Sequence, residues 1–172
     1  ASAGAAFAEV ARIESMMSEW RSDSEVSAIN LAAGRSPVAI SDELFSCLSQ
    51  AQTLSRQTQG AFDVTWAALR GLWTFDTDAK VPSDSQILAA LSRVGYQRLV
   101  LDAKGRTAAL KSPGMVIGLG AIAKGYAIDR AAGVLSERGI KNFILDGGGD
   151  LYFGGEKAPD VPWTVGVRHP RQ

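Results

Sequence analysis

Apolar residues recur at Phe7, Val10, Ile13, Met16 and Met17, with Glu9, Arg12, Glu14 and Glu19 between them. That rhythm predicts an amphipathic helix over residues 5–20. A polar turn follows at 21–24, and Ser24 with Ser27 can cap a short helix running through 30–33. Residues 38–40 read as a strand. The next helix starts at Ser41 or Asp42, turns Leu44, Phe45, Leu48, Ala51 and Leu54 to one side, and ends near Gly60. Pro82 and Ser83 precede another helix over 84–94, with Ile87, Leu88 and Leu91 facing inward. Strands are predicted at 98–101, 107–111 and 115–117, the first two joined by a hairpin turn holding Lys104 and Gly105.

The stretch 118–150, GLGAIAKGYAIDRAAGVLSERGIKNFILDGGGD, organises the rest. Glycines at its start free the backbone for close approach to a ligand. The helix that follows has an apolar face at Ile122, Gly125, Ile128, Ala132 and Leu135, a charged face at Arg130, Glu137 and Arg138, and a C-cap at Gly139. A strand at 142–145 leads to the turn Gly147, Gly148, Gly149 and Asp150, which is either a second close approach to a ligand or a glycine-rich hairpin turn. Strands at 151–153 and 163–168 close the chain. Helices and antiparallel strands in mixed order predict an α+β fold of mixed, largely antiparallel sheets with packed helices.

Three positions stand out chemically. Lys124 is a cation near the positive end of a helix dipole, so it either faces an anion such as phosphate or is a solvated lysine held by other contacts. Asp63, flanked by Phe62 and Val64, is a buried hydrogen-bonding partner or a poised carboxylate. Trp20, at the junction of helix and loop, plugs the core or stacks on an aromatic ligand, and the sequence favours the core. The cluster Thr65, Trp66, Leu69, Leu72, Trp73 and Phe75 likewise reads as core. Neither common phosphate motif is present: there is no G-x-x-x-x-G-K-[ST], and GLGAIAKG fails G-x-G-x-x-G.

Composition narrows the classes. With 172 residues the chain can bury a core as one domain or be a piece of something larger. Acids and bases balance at 18 each, which argues against a nucleic-acid or membrane-binding basic surface. The single Cys47, in an apolar helical run, excludes an internal disulfide framework and reads as core; the single His169 excludes a multi-histidine metal cluster within this chain. No stretch has the apolar length of a membrane span, and the start lacks the blocks of a signal peptide, so the expectation is a cytosolic protein or one whose targeting segment was removed.

The motifs SEVSAIN, GAFDVTWAALRGLW, GLGAIAKGYAID and LDGGGDLYFGG, in this order, resemble the ApbE-like family of FAD:protein FMN transferases, also known as thiamine-biosynthesis lipoproteins. The resemblance covers most of the chain. It implies a T-fold-like, FAD-binding α+β domain over residues 1–172 and a magnesium-dependent reaction: the FAD pyrophosphate is split, AMP leaves, and FMN is joined to a threonine hydroxyl of a target flavoprotein. By the same resemblance Trp20 lines the flavin site, Ala61, Phe62 and Asp63 form the cofactor-contacting G-x-F-D segment, Lys124 touches FAD, and the carbonyl of Ala121 is one Mg2+ ligand. Asp63 is then the one matched acid available as a base, and Lys124 the stabiliser of phosphate charge.

Departures from the family pattern are equally specific. Gly118 stands where relatives usually carry an aspartate. A C-terminal D-A-x-x-T-like segment with metal ligands and a histidine is missing after His169, as is the family's first strand, so the resemblance implies a truncated version of the fold. The alternatives are a non-catalytic FAD-binding module and an FAD pyrophosphatase in which water replaces the threonine. Relatives imply a periplasmic or inner-membrane lipoprotein facing the periplasm, touching the membrane only through a removed lipid anchor.

Overall fold

The computed structural model describes residues 2–74, 81–167 and 169–171. Phe75 and Arg168, counted above in the aromatic cluster and the last strand, lie outside these residues. The chain divides into two compact units, one formed by Ile13–Ala123 and the other by Ala1–Arg12 with Lys124–Gln172.

In the 13–123 unit, helix α1 (Ser2–Met17) contributes Ile13, Met16 and Met17 to the core. The helix stops at Met17, so Trp20 falls beyond it and is exposed, not in the core. Helix α2 (Glu25–Leu31) begins where the Ser24 hydroxyl accepts from the Ser27 N–H at 3.0 Å, and it buries Val26 and Ile29. Helix α3 (Asp42–Gln57) is capped by Ser41, has Asp42 and Glu43 in its first turn and Arg56 in its last, and so matches the helix dipole at both ends. It buries Leu44, Cys47, Leu48 and Ala51, while Ser55 takes the inward position expected of Leu54 by bonding its hydroxyl to the Ala51 carbonyl. Burial, with Glu43 nearby, pushes the Cys47 thiol up to about 11, as befits a core cysteine.

Helix α4 (Asp84–Leu91) opens on a reciprocal capping box between Ser83 and Gln86. Leu88 and Leu91 are exposed, and Ala90 is the buried residue of this helix. The inward face is therefore set by a small side chain one position from the predicted stripe. Strands β1 (Val38–Ala39), β2 (Leu99–Asp102) and β3 (Thr107–Leu110) form an antiparallel sheet in the order β1-β3-β2, with Val38 opposite Ala108 and Leu99 opposite Leu110.

Residues 115–117 do not form the predicted strand. Met115, Ile117 and Leu119 alternate inward and are fully buried, which produced the strand-like pattern. Their backbone finds other partners: the Asn30 side chain accepts from Ile117 N–H at 2.8 Å and donates to its carbonyl at 3.0 Å, and Gly118 N–H donates to the Val64 carbonyl at 2.8 Å.

The other unit holds most of helix α5 (Gly120–Glu137) and the hairpin of strands β4 (Phe143–Asp146) and β5 (Leu151–Gly154). Ala6, Ala131 and Leu135 are its buried centre, with Val10, Phe143 and Leu145 against them. Phe7 points outward, and Gly125 is exposed instead of lying on the apolar face. At the end of α5, Gly139 adopts φ +78°, and the bonds from Gly139 N–H to the Ser136 carbonyl and from Ile140 N–H to the Leu135 carbonyl complete a Schellman cap. Residues 163–167 carry no ladder; Trp163 instead donates its indole N–H to the Gly154 carbonyl at 3.0 Å.

Glu9 accepts from Arg12 at 2.8 and 2.9 Å and from Arg130 at 3.2 Å. These bonds, Arg12 first, lower its pKa from 4.5 to about 2. A carboxylate depressed in the folded state stabilises the fold above its unfolded pKa and loses that contribution as pH falls through the folded value. The urea midpoint should therefore fall between about pH 4.5 and 2, and Glu9→Gln should flatten that part of the profile. Parallel profiles for the two proteins would refute the assignment.

Candidate functional site

A cavity of about 270 Å³ in the 13–123 unit is lined by Gly60, Ala61, Phe62, Asp63, Val64, Trp66, Val94, Gly118 and Ala121. Small-molecule sites run to roughly 300–1,000 Å³, so this recess suits one part of a dinucleotide-sized ligand. Asp63 ties part of its lining together. One carboxylate oxygen accepts from Thr65 N–H and the Thr65 hydroxyl, both at 2.7 Å, and the other accepts from Tyr96 N–H at 2.8 Å. Thr65 Oγ1 in turn accepts from Gly95 N–H at 2.7 Å. The acid thus caps the 3₁₀ turn Val64–Leu69 and staples it to residues 95–96. Of the two roles open to Asp63, this geometry displays the hydrogen-bonding one.

The Gly118 side of the lining is held by Asn30 and Val64, which fix Ile117 and Gly118 as described. A Cβ on Gly118 would stand 3.0 Å from the Ala67 Cβ, from Arg70 Nη2 and from Glu19 Oε1. The space beside this glycine is already filled by an ion pair, Arg70 to Glu19 at 2.6 Å, with the Glu19 side chain only 8% exposed. The Arg70 guanidinium lies 4.1 Å from the centre of the Trp20 ring and 5.5 Å from that of Trp66. Trp66 and Trp73 are each 42% exposed, so the aromatic cluster is not a closed core.

Lys124 belongs to the other unit. Its ammonium pairs with Asp150 at 2.9 Å, and both side chains are about half exposed. Asp150 follows the triple-glycine turn, where Asp146 accepts from the N–H groups of Gly148 and Gly149, each at 2.9 Å, and Gly147 N–H donates to the Asp150 carbonyl. This is the hairpin-turn alternative, made internally by Asp146.

Ala61, Phe62, Asp63, Gly118 and Ala121 therefore share one cavity, and Trp20 is linked to its Trp66 wall through Arg70. Sequence reasoning assigned no role at the site to Arg70, Glu19 or Asn30, and it placed Asp150 in the glycine turn without pairing it to Lys124. Arg70 carried a signal, being a lone cation in a run of aromatic and aliphatic residues. Among the described residues no group of three or more His, Cys, Asp or Glu side chains could hold a metal ion. Ala121 offers one neutral carbonyl oxygen and Asp63 is already occupied, so these residues alone do not fit a magnesium ion, which takes six oxygens. No chemical step is assigned to such an ion.

The family model for ApbE matches residues 2–172. The chain belongs to the ApbE family. It is 32% identical over 161 residues to the FAD:protein FMN transferase of Vibrio cholerae, covering 92% of this chain and 48% of that protein. Against the FAD:protein FMN transferase of Treponema pallidum it is 32% identical over 171 residues, covering 91% and 47%. The crystal structure of the ApbE protein from Thermotoga maritima matches with a TM-score of 0.90 and 32% identity over 99% of this chain and 56% of that one. Flavin transferase ApbE from Vibrio cholerae matches with a TM-score of 0.85 and 30% identity over 97% and 56%. The chain spans about half the length of the curated ApbE relatives it matches. The α+β expectation, with mixed helices and antiparallel sheets, agrees with these ApbE structures.

Proposed function

We propose that this chain is the FAD-holding part of an FAD:protein FMN transferase, acting as one FAD-binding domain. The observation that carries the reading is the single cavity formed by the G-x-F-D segment with Gly118 and Ala121, in a chain whose curated relatives bear that activity in their names. In the reaction the acceptor threonine hydroxyl of a target flavoprotein attacks the FMN-side phosphorus. The bond to the bridging oxygen breaks, AMP departs with that oxygen, and the hydroxyl proton passes to a base.

Each unit contributes separately to this scheme. The cavity supplies a recess for part of FAD, with Phe62 and Trp66 as apolar wall. Lys124 supplies positive charge for the diphosphate, which must outcompete Asp150 for the ammonium. Asp63 shapes the recess, or serves as base once substrate rearranges its hydrogen bonds. The Ala121 carbonyl would be this chain's one oxygen toward a magnesium ion, which when bound would offset phosphate charge. Export to the periplasmic face as a lipoprotein belongs to the same proposal, and fractionation of cells expressing the full gene tests it. Among the described residues no helix is long and apolar enough to cross a membrane.

A second reading is favoured by the occupied Asp63 oxygens: FAD held without chemistry, or cleaved by water to FMN and AMP. Incubation with FAD and Mg2+, with and without a threonine-containing acceptor, separates the three by chromatography. Flavinylated acceptor with AMP is expected for the transferase, FMN with AMP for the pyrophosphatase, and intact bound FAD for the binding module. A chain that does not bind FAD at all would sink every one of them.

A further inference from the structure

We infer that Arg70 is a positioning residue that holds Trp20 as a stacking platform for a planar heteroaromatic ring at the Gly118 side of the cavity. This rests on the FAD reading given above.

Trp20 is 75% exposed, an unusual state for an indole that has a partner on one face. That partner is the Arg70 guanidinium, 4.1 Å from the ring centre. Arg70 is itself fixed from two other directions, by the Glu19 carboxylate at 2.6 Å and by the Trp66 ring at 5.5 Å. Trp66 and Gly118 line the cavity, so the whole stack is anchored to its wall. Gly118 has no side chain to compete for the place that Arg70 and Glu19 occupy, each 3.0 Å from where a Cβ would stand. A guanidinium presents a planar face that a lysine ammonium lacks, and the packing of a ring against it restrains a side chain that would otherwise rotate freely in solvent. A pre-ordered indole with an open outer face is suited to the isoalloxazine of FAD, because stacking then requires little further ordering.

The test is a double-mutant cycle on FAD affinity with Arg70→Met and Trp20→Ala, read together with the long-wavelength flavin absorbance that indole stacking produces. Arg70→Met should weaken FAD binding about three- to tenfold and diminish the stacking band, while in the Trp20→Ala background it should change neither. Urea unfolding of each variant serves as the stability control. Because Arg70→Met leaves the Glu19 carboxylate without its partner, Arg70→Lys, which keeps that charge but not the planar face, is measured in parallel and should lose the band while keeping the midpoint. Undiminished affinity and band in both Arg70 variants, or an equal loss with and without Trp20, would overturn the inference. Failure of the wild-type chain to bind FAD would instead remove the reading on which it rests.

Discussion

Asp63→Ala should lower the unfolding free energy by about 2–4 kcal/mol, seen as a shift of the urea midpoint at constant slope. Three donors converge on this carboxylate: Thr65 N–H, the Thr65 hydroxyl and Tyr96 N–H. Removing it leaves two backbone N–H groups in a partly buried setting without their acceptor, which costs more than the bonds themselves contribute on balance. It also uncaps the 3₁₀ turn and loosens the loop that lines the cavity. Asp63→Asn should fall between, since an amide keeps one acceptor oxygen. The same pair of variants distinguishes structure from chemistry. If Asp63 were a base only, Asn would abolish AMP release and leave the midpoint where it was.

Lys124→Ala should weaken FAD affinity about ten- to a hundredfold, the range expected for losing a hydrogen bond to a charged phosphate. Stability should change little, because an exposed pair such as Lys124 with Asp150 contributes about 0–1 kcal/mol. The variant's residual affinity should also depend less on salt, since the screened charge is gone. Equal FAD titrations of wild type and variant, at low and at high ionic strength, would remove Lys124 from the site.

Local signals carried far in this chain where they were periodic or chemical at short range. Ser41 before Asp42 and Ser83 before Asp84 marked two helix starts, because a cap is a contact between residues three apart. Gly139 marked the end of α5 for the same reason. The alternation of Met115, Ile117 and Leu119 misled, since burial on alternate residues does not say whether the backbone pairs with a strand or with the Asn30 amide. Trp20 misled in the opposite sense. Hydrophobicity placed it inside, whereas Arg70, distant in sequence, gives it a partner on the surface. Of the candidate site, the motif segments were legible, and Ala61, Phe62, Asp63, Gly118 and Ala121 from them line one cavity. The side chains that hold those segments in place were not legible, because they act across long separations and leave no short-range pattern.

Asn30 and Ile117 are 87 positions apart, yet one carboxamide satisfies both backbone groups of the residue next to Gly118. The SEVSAIN segment and the approach to α5 consequently form one heritable unit: a chimera that imports either from a relative should carry the other with it.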